Sequence, residues 1–193
     1  MTYVALMRAI NVAGHGRVTM TAVRDVFGAA GCRHVQTCIQ SGNVIFDAQP
    51  RDLQAIMAKA RHALRRLLGE EPRILIRTAR DIARLLETAP FKTRREKARN
   101  VKLYVAFLSE KPRPTPTFPV VSAAEALEAI GMRELEVFIV SRPKASGFFG
   151  LPNNFVEAQL GVPATTRNWS TVKKIADAAR RTSETPCLPK TGG

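Results

Sequence analysis

The chain opens on an apolar run, "TYVALM" at 2–7, that lacks helical spacing and reads as a strand. Met20, Val23, Phe27 and Ala30 then recur at helical intervals, and Gly31 stands where a helix over about 20–30 would stop. Thr19 or Thr21 is placed to cap its start. Two strands, 34–40 and 43–47, flank "QSGN", with Ser41-Gly42 as a two-residue hairpin turn. Asp52 opens a long helix with Leu53, Ile56, Met57, Ala60, Leu64 and Leu67 inward, and Gly69 ends it. "RILIRT" at 73–78 supplies a fourth strand. The order is β-α-β-β-α-β, the ferredoxin-like arrangement in which two helices cover one face of a four-stranded antiparallel sheet.

The remainder reads as a looser second copy. A short helix at 79–89 begins with the capping-box-like "TARD" and ends before Pro90. "VKLYVAFL" is a strand, and the proline-rich "KPRPTPTFP" is an exposed connector. "SAAE", Ser122 to Glu125, is a capping box predicting a helix that stops at Gly131. "LEVFIV" follows as a strand, with a weak strand near 145–150. Asn153 or Asn154 opens the helix "FVEAQL", which Gly161 ends. "PATTRN" is extended and leads into a last helix from Ser170 to about Arg181. The expected fold class is therefore α+β: two ferredoxin-like βαββαβ-type half-domains with antiparallel sheets, packed through those sheets, plus a C-terminal helix. The expected divisions are 1–78, a helix and basic linker at 79–100, 101–183, and a flexible tail at 184–193.

Composition narrows the class. A chain of 193 residues with 45% hydrophobic and 24% charged side chains is globular and long enough to bury a core. Apolar runs such as "YVALM" are too short to span a bilayer, and the N-terminus lacks the ordered features of a signal peptide. The expectation is a cytoplasmic protein with no membrane partner. Cys32, Cys38 and Cys187 are odd in number and form no C-x-x-C pair, so neither a disulfide framework nor a metal site is expected. The net charge of +14 attracts polyanions and allows a nucleic-acid partner without specifying one. An arginine-rich background decorating helix faces (Arg61, Arg65, Arg66) and a solvated "KTRREKAR" at 92–99 account for it more readily.

Three polar stretches remain: Arg8 with Asn11 and Gly14, Ser41-Gly42-Asn43, and Thr166-Arg167-Asn168 with Trp169. In a ferredoxin-like half the first and third strands are antiparallel neighbours, so Arg8 and Asn11 come toward Ser41 and Asn43. Such a set offers a fixed cation, amides and a hydroxyl, while Gly14 and Gly16 allow backbone amides to face an anion. The same residues also suit purely structural duties. Arg8 could satisfy carbonyls, Asn43 a left-handed turn, and Asn11 or Asn168 a cap. Trp169 fits an anchor for the last helix better than a base-stacking platform. His15, His34 and His62 have no metal-binding spacing, no serine stands in a nucleophile elbow, and "GHG" is neither a Walker A nor a dinucleotide fingerprint. The RNA-recognition signature is missing too, since the third strand, "NVIFDA", carries one aromatic, Phe46. The tail "LPKTGG" matches a sortase signal without the segments that follow one, and reads as coincidence or an added tag.

"ALMRAINVAGHGRVTM", "GCRHVQTCIQSGNVIF" and "ATTRNWSTVKKI" together resemble the bacterial domain-of-unknown-function family 1697. The resemblance implies an α+β fold of two ferredoxin-like parts and no established activity. It places the family's motif positions on Arg8, Asn11, Val12 and Gly14, on Ser41, Gly42 and Asn43, and on Thr166, Arg167, Asn168 and Trp169. The chain departs from the pattern with Ala9 and Ala13 for glycine and Cys38 for an aromatic. The sequence thus leaves several readings open, with no cofactor expected. One is a protein binding a phosphate-bearing ligand, a nucleotide or a nucleic-acid backbone. The others are a small-molecule enzyme of unassigned catalytic residues, and motifs that only lock the two halves.

Overall fold

The computed structural model describes residues 1–8, 18–38, 42–92 and 100–184. The chain divides into two compact units, Met1–Ala83 with Lys174–Gly193, and Arg84–Lys173. The first contains β1 (Thr2–Met7), α1 (Met20–Ala30), β2 (Arg33–Thr37), β3 (Asn43–Asp47), α2 (Leu53–Leu68) and β4 (Ile74–Thr78). Its strands lie in the antiparallel order β2-β3-β1-β4, the ferredoxin-like order.

Local chemistry explains each element. Thr19 Oγ1 accepts from Ala22 N at 3.1 Å and caps α1. Gly31 closes the helix at φ 110, its amide reaching Gly28 O while Cys32 N reaches Phe27 O. Val23, Phe27 and Ala30 face the core, where Phe27 and Tyr3 both pack on Phe46. From α2, Ile56, Met57, Ala60 and Leu64 join them. Two expectations fail here. Asp52 makes no side-chain cap, because it ends a 3-10 turn (Pro50–Asp52) with its backbone already in the helical region. Leu67 is 42% exposed, and Leu68 packs on the core instead.

The second unit holds the end of α3 (Ala79–Glu87), then β5 (Lys102–Leu108), β6 (Val120–Ser122), β7 (Leu127–Arg133), β8 (Glu136–Ser141), α4 (Pro152–Leu160), β9 (Ala164–Asn168) and the start of α5 (Trp169–Glu184). The "TARD" capping box forms. Asp81 N donates to Thr78 Oγ1 at 3.1 Å, and Thr78 N donates to Asp81 Oδ2 at 3.0 Å.

The helix expected from Ser122 to Gly131 does not form. Glu125 N does reach Ser122 Oγ at 3.3 Å, but Ala126 turns to φ 51 and its amide closes on Ala123 O. The chain re-enters as β7, where Leu127 and Ala129 are buried at period two, and Gly131 sits at a register shift against β8. Pairing with β8 overrides a segment whose apolar spacing suits both periods. The sheet order is β6-β7-β8-β5-β9, all antiparallel. With β6 set aside this is the order of the first sheet, so the proline-rich connector and β6 return the chain where α1 does so in the first unit.

Two smaller corrections belong to the same unit. The weak strand near 145–150 reduces to a single bridge, Pro143 with Phe149. Gly150 is required there, because a Cβ would run into the Glu125 carbonyl. Neither Asn153 nor Asn154 caps α4, which starts from Leu151 with Pro152 in its first turn; Asn153 Oδ1 accepts instead from Thr166 Oγ1 at 3.2 Å. Among the described residues no helix is long and apolar enough to cross a membrane.

Candidate functional site

The first sheet ends in a cluster of polar and cationic groups set by strand order. Leu6 is opposite Asn43, and one step on, Met7 N donates to Gly42 O at 2.8 Å. On the other side of β1, Met7 is opposite Ile74 and Arg8 N donates to Arg73 O at 3.0 Å. Arg8 and Arg73 therefore stand directly across from each other on neighbouring strands, Arg8 half-buried and Arg73 exposed. Gly42, at φ 72, provides the left-handed step into β3.

Asn43 is fully buried. Its Nδ2 donates to Cys38 O at 3.0 Å while its own carbonyl accepts from Cys38 N at 2.9 Å. Pairing thus closes at Cys38 and Asn43, and the turn expected over Ser41-Gly42 includes Ser41, outside the described residues. Burial raises the Cys38 thiol above its ordinary pKa, while Lys174 and Arg181 of α5 pull it back down. Those two cations thus act on the same end of the sheet as Arg8 and Arg73. Asn11, Gly14 and Ser41, with Val12, His15 and Gly16, lie outside the described residues, as do Cys187 and the "LPKTGG" tail.

In the second unit, Thr166, Arg167 and Asn168 end β9. Arg167 is 8% exposed, and its Nη1 donates to Thr165 Oγ1 and Thr166 O, both at 2.9 Å. Burial pushes its guanidinium down to about 10. Asn168 Oδ1 accepts from Ser170 N at 3.0 Å and Ser170 Oγ at 2.8 Å, which caps the start of α5. Trp169 is half-buried and meets Phe91 edge-on at 5.3 Å, and Phe91 meets Phe138 at 6.0 Å. The indole anchors the helix as expected. The second unit also has an open cavity of about 470 Å³ where Lys111 and Arg113 face Leu160 and Val162.

The sequence reading missed Arg73, Lys174 and Arg181. Arg73 was within reach of it, because the antiparallel pairing of β1 with β4 sets the start of one beside the end of the other. Lys174 and Arg181 needed the path of α5. Among the described residues no three of His, Cys, Asp and Glu gather as metal ligands.

A family model described as "Protein of unknown function (DUF1697)" matches residues 1–138. The chain belongs to the DUF1697 family. This DUF1697 protein shares its fold with the conserved bacterial protein SP0830 from Streptococcus pneumoniae, at a TM-score of 0.61 and 20% identity. The match covers 92% of this chain and 98% of that one. No curated protein matches the DUF1697 chain.

Proposed function

We propose that this DUF1697 protein binds a phosphate-bearing ligand at the end of its first sheet, with Arg8 and Arg73 as the fixed cations and the Gly42-Asn43 entry to β3 as its frame. The observation that carries the reading is the backbone pairing that sets Arg8 and Arg73 side by side at one end of the sheet. Two arginines at paired positions offer planar forks of donors that suit bidentate recognition of a phosphate. The cations of α5 acting on Cys38 add to the same field, and α1, entered from this side, has no acidic residue in its first turn. Asn11, Gly14 and Ser41 belong to the proposed site through the family motif.

The test is a thermal-shift screen with inorganic phosphate, nucleotides and phosphorylated metabolites. A ligand at a hundred times its Kd stabilises by about 2.7 kcal/mol. The expected result is a stabiliser that Arg8→Ala and Arg73→Ala no longer respond to. Binding of polynucleotides alone, unchanged in both variants and falling steeply with salt, would instead mark a diffuse response to the overall charge. For Asn43 and Arg167 a structural duty is the better supported reading, because both side chains are buried and bonded to neighbouring backbone.

A further inference from the structure

The opposite end of the same sheet carries a second polar constellation. His34 Nδ1 lies 2.8 Å from Asp47 Oδ2 across the β2–β3 pair. The other carboxylate oxygen, Oδ1, accepts from Thr2 Oγ1 at 2.6 Å, and Ser183 Oγ of α5 donates to that Thr2 oxygen at 3.0 Å. Asp47 is thus held on both oxygens, its side chain 17% exposed, while the imidazole it holds is 37% exposed. His34 takes φ 49, and the β2–β3 register shifts between Arg33 and Gln36. Left-handed backbone in a non-glycine residue beside such an irregularity re-aims a side chain. With Nδ1 committed to the carboxylate, Nε2 has no hydrogen-bond partner among the described residues.

We propose that His34 and Asp47 form a general-base dyad working through His34 Nε2 on small esters of acidic compounds. The carboxylate fixes the proton on Nδ1 and leaves the Nε2 lone pair outward. Arg33, exposed and in register with Asp47, adds a cation to this end of the sheet and suits a negative charge on the acid portion of the substrate. In the reaction, Nε2 takes a proton from water as the water oxygen bonds to the ester carbonyl carbon, whose π electrons move onto oxygen. When that intermediate collapses, the carbon–oxygen bond to the alcohol breaks and the leaving alkoxide takes the proton from Nε2. The products are a carboxylic acid and an alcohol, with the imidazole regenerated. Asp47 acts as a positioning residue that stabilises the transient imidazolium.

The test is hydrolysis of p-nitrophenyl acetate and of the mono-p-nitrophenyl ester of glutaric acid by the full chain. His34→Gln keeps a hydrogen bond to Asp47, so a fall of about a hundredfold in rate separates the base from a structural clamp. Asp47→Asn is expected to lower the rate, because the imidazole loses the carboxylate that orients it. His62→Gln, on the exposed face of α2, leaves the rate unchanged. Arg33→Gln removes the preference for the glutarate ester. If Asp47→Asn does not fold, Thr2→Val deletes only the hydroxyl that holds Oδ1, and a lowered rate there supports the dyad equally. A wild-type rate in His34→Gln, or equal losses in the His34 and His62 variants, overturns the proposal. Neither result bears on the phosphate site, since Arg8 and Arg73 are untouched.

Discussion

Asn43→Ala is the most informative single substitution, because the family motif and the fold assign this residue different work. In the folded chain its Nδ2 donates to Cys38 O at 3.0 Å from a fully buried position. Removing the amide deletes one hydrogen bond, worth about 1 kcal/mol net, and strips a partner from the Cys38 carbonyl at a further cost of about 1–2 kcal/mol. The expected loss is about 2–3 kcal/mol, or about 4–12 °C in Tm for a chain of this size. Asn43 has further contacts beyond this bond, which makes the figure a lower bound. Urea and thermal melts followed by circular dichroism measure it. Asn43→Asp, nearly isosteric, turns the donor into an acceptor facing a carbonyl and is expected to be at least as damaging. A change below about 0.5 kcal/mol in Asn43→Ala, with loss of any phosphate-induced stabilisation, would refute the structural assignment and return the residue to the ligand.

Other expectations follow from the same geometry. Phe46→Ala removes a fully buried ring in contact with Tyr3 and Phe27 and is expected to cost about 3–5 kcal/mol by urea melting. Thr78→Ala and Asp81→Ala each cost about 1 kcal/mol, and the double variant costs less than their sum, because the two side chains form one reciprocal cap. The buried Cys32 thiol is pushed from 9.0 up to about 12. The folded chain therefore holds this proton after the unfolded chain has lost it, and stability present below pH 9 declines as pH rises from about 9 toward 12. Urea melts of Cys32→Ala should show a shallower decline in that window.

The first unit was legible in the sequence because each element follows one period and carries its own stop signal. The α1 stripe runs from Val23 to Ala30 and meets Gly31, and the β3 run ends at Asp47. The same signals failed at 122–131. "SAAE" supplies half a capping box in a tight turn, and "LEAI" serves either period, so only pairing with β8 decides. Asn153 looked like a cap and is instead tied to Thr166, across to β9. Of the candidate site, Arg8 beside Gly42 and Asn43 followed from strand order alone. Arg73 was missed, although the same argument reaches it when β4 is laid against β1. The dyad of His34 and Asp47 rests on a left-handed residue and a register shift, and neither leaves a trace in apolar periodicity.

The tie between Ser183 and Thr2 has a consequence for how the protein is made. The last segment of α5 belongs to the same compact unit as residues 1–83, yet it is translated after the whole intervening unit. At ordinary elongation rates the ribosome needs roughly 5–20 s to pass from Ala83 to Lys174. During that interval the nascent N-terminal sheet waits without the helix that ties to its first strand, open to chaperones and to misassembly. Completion of this unit waits on the synthesis of α5.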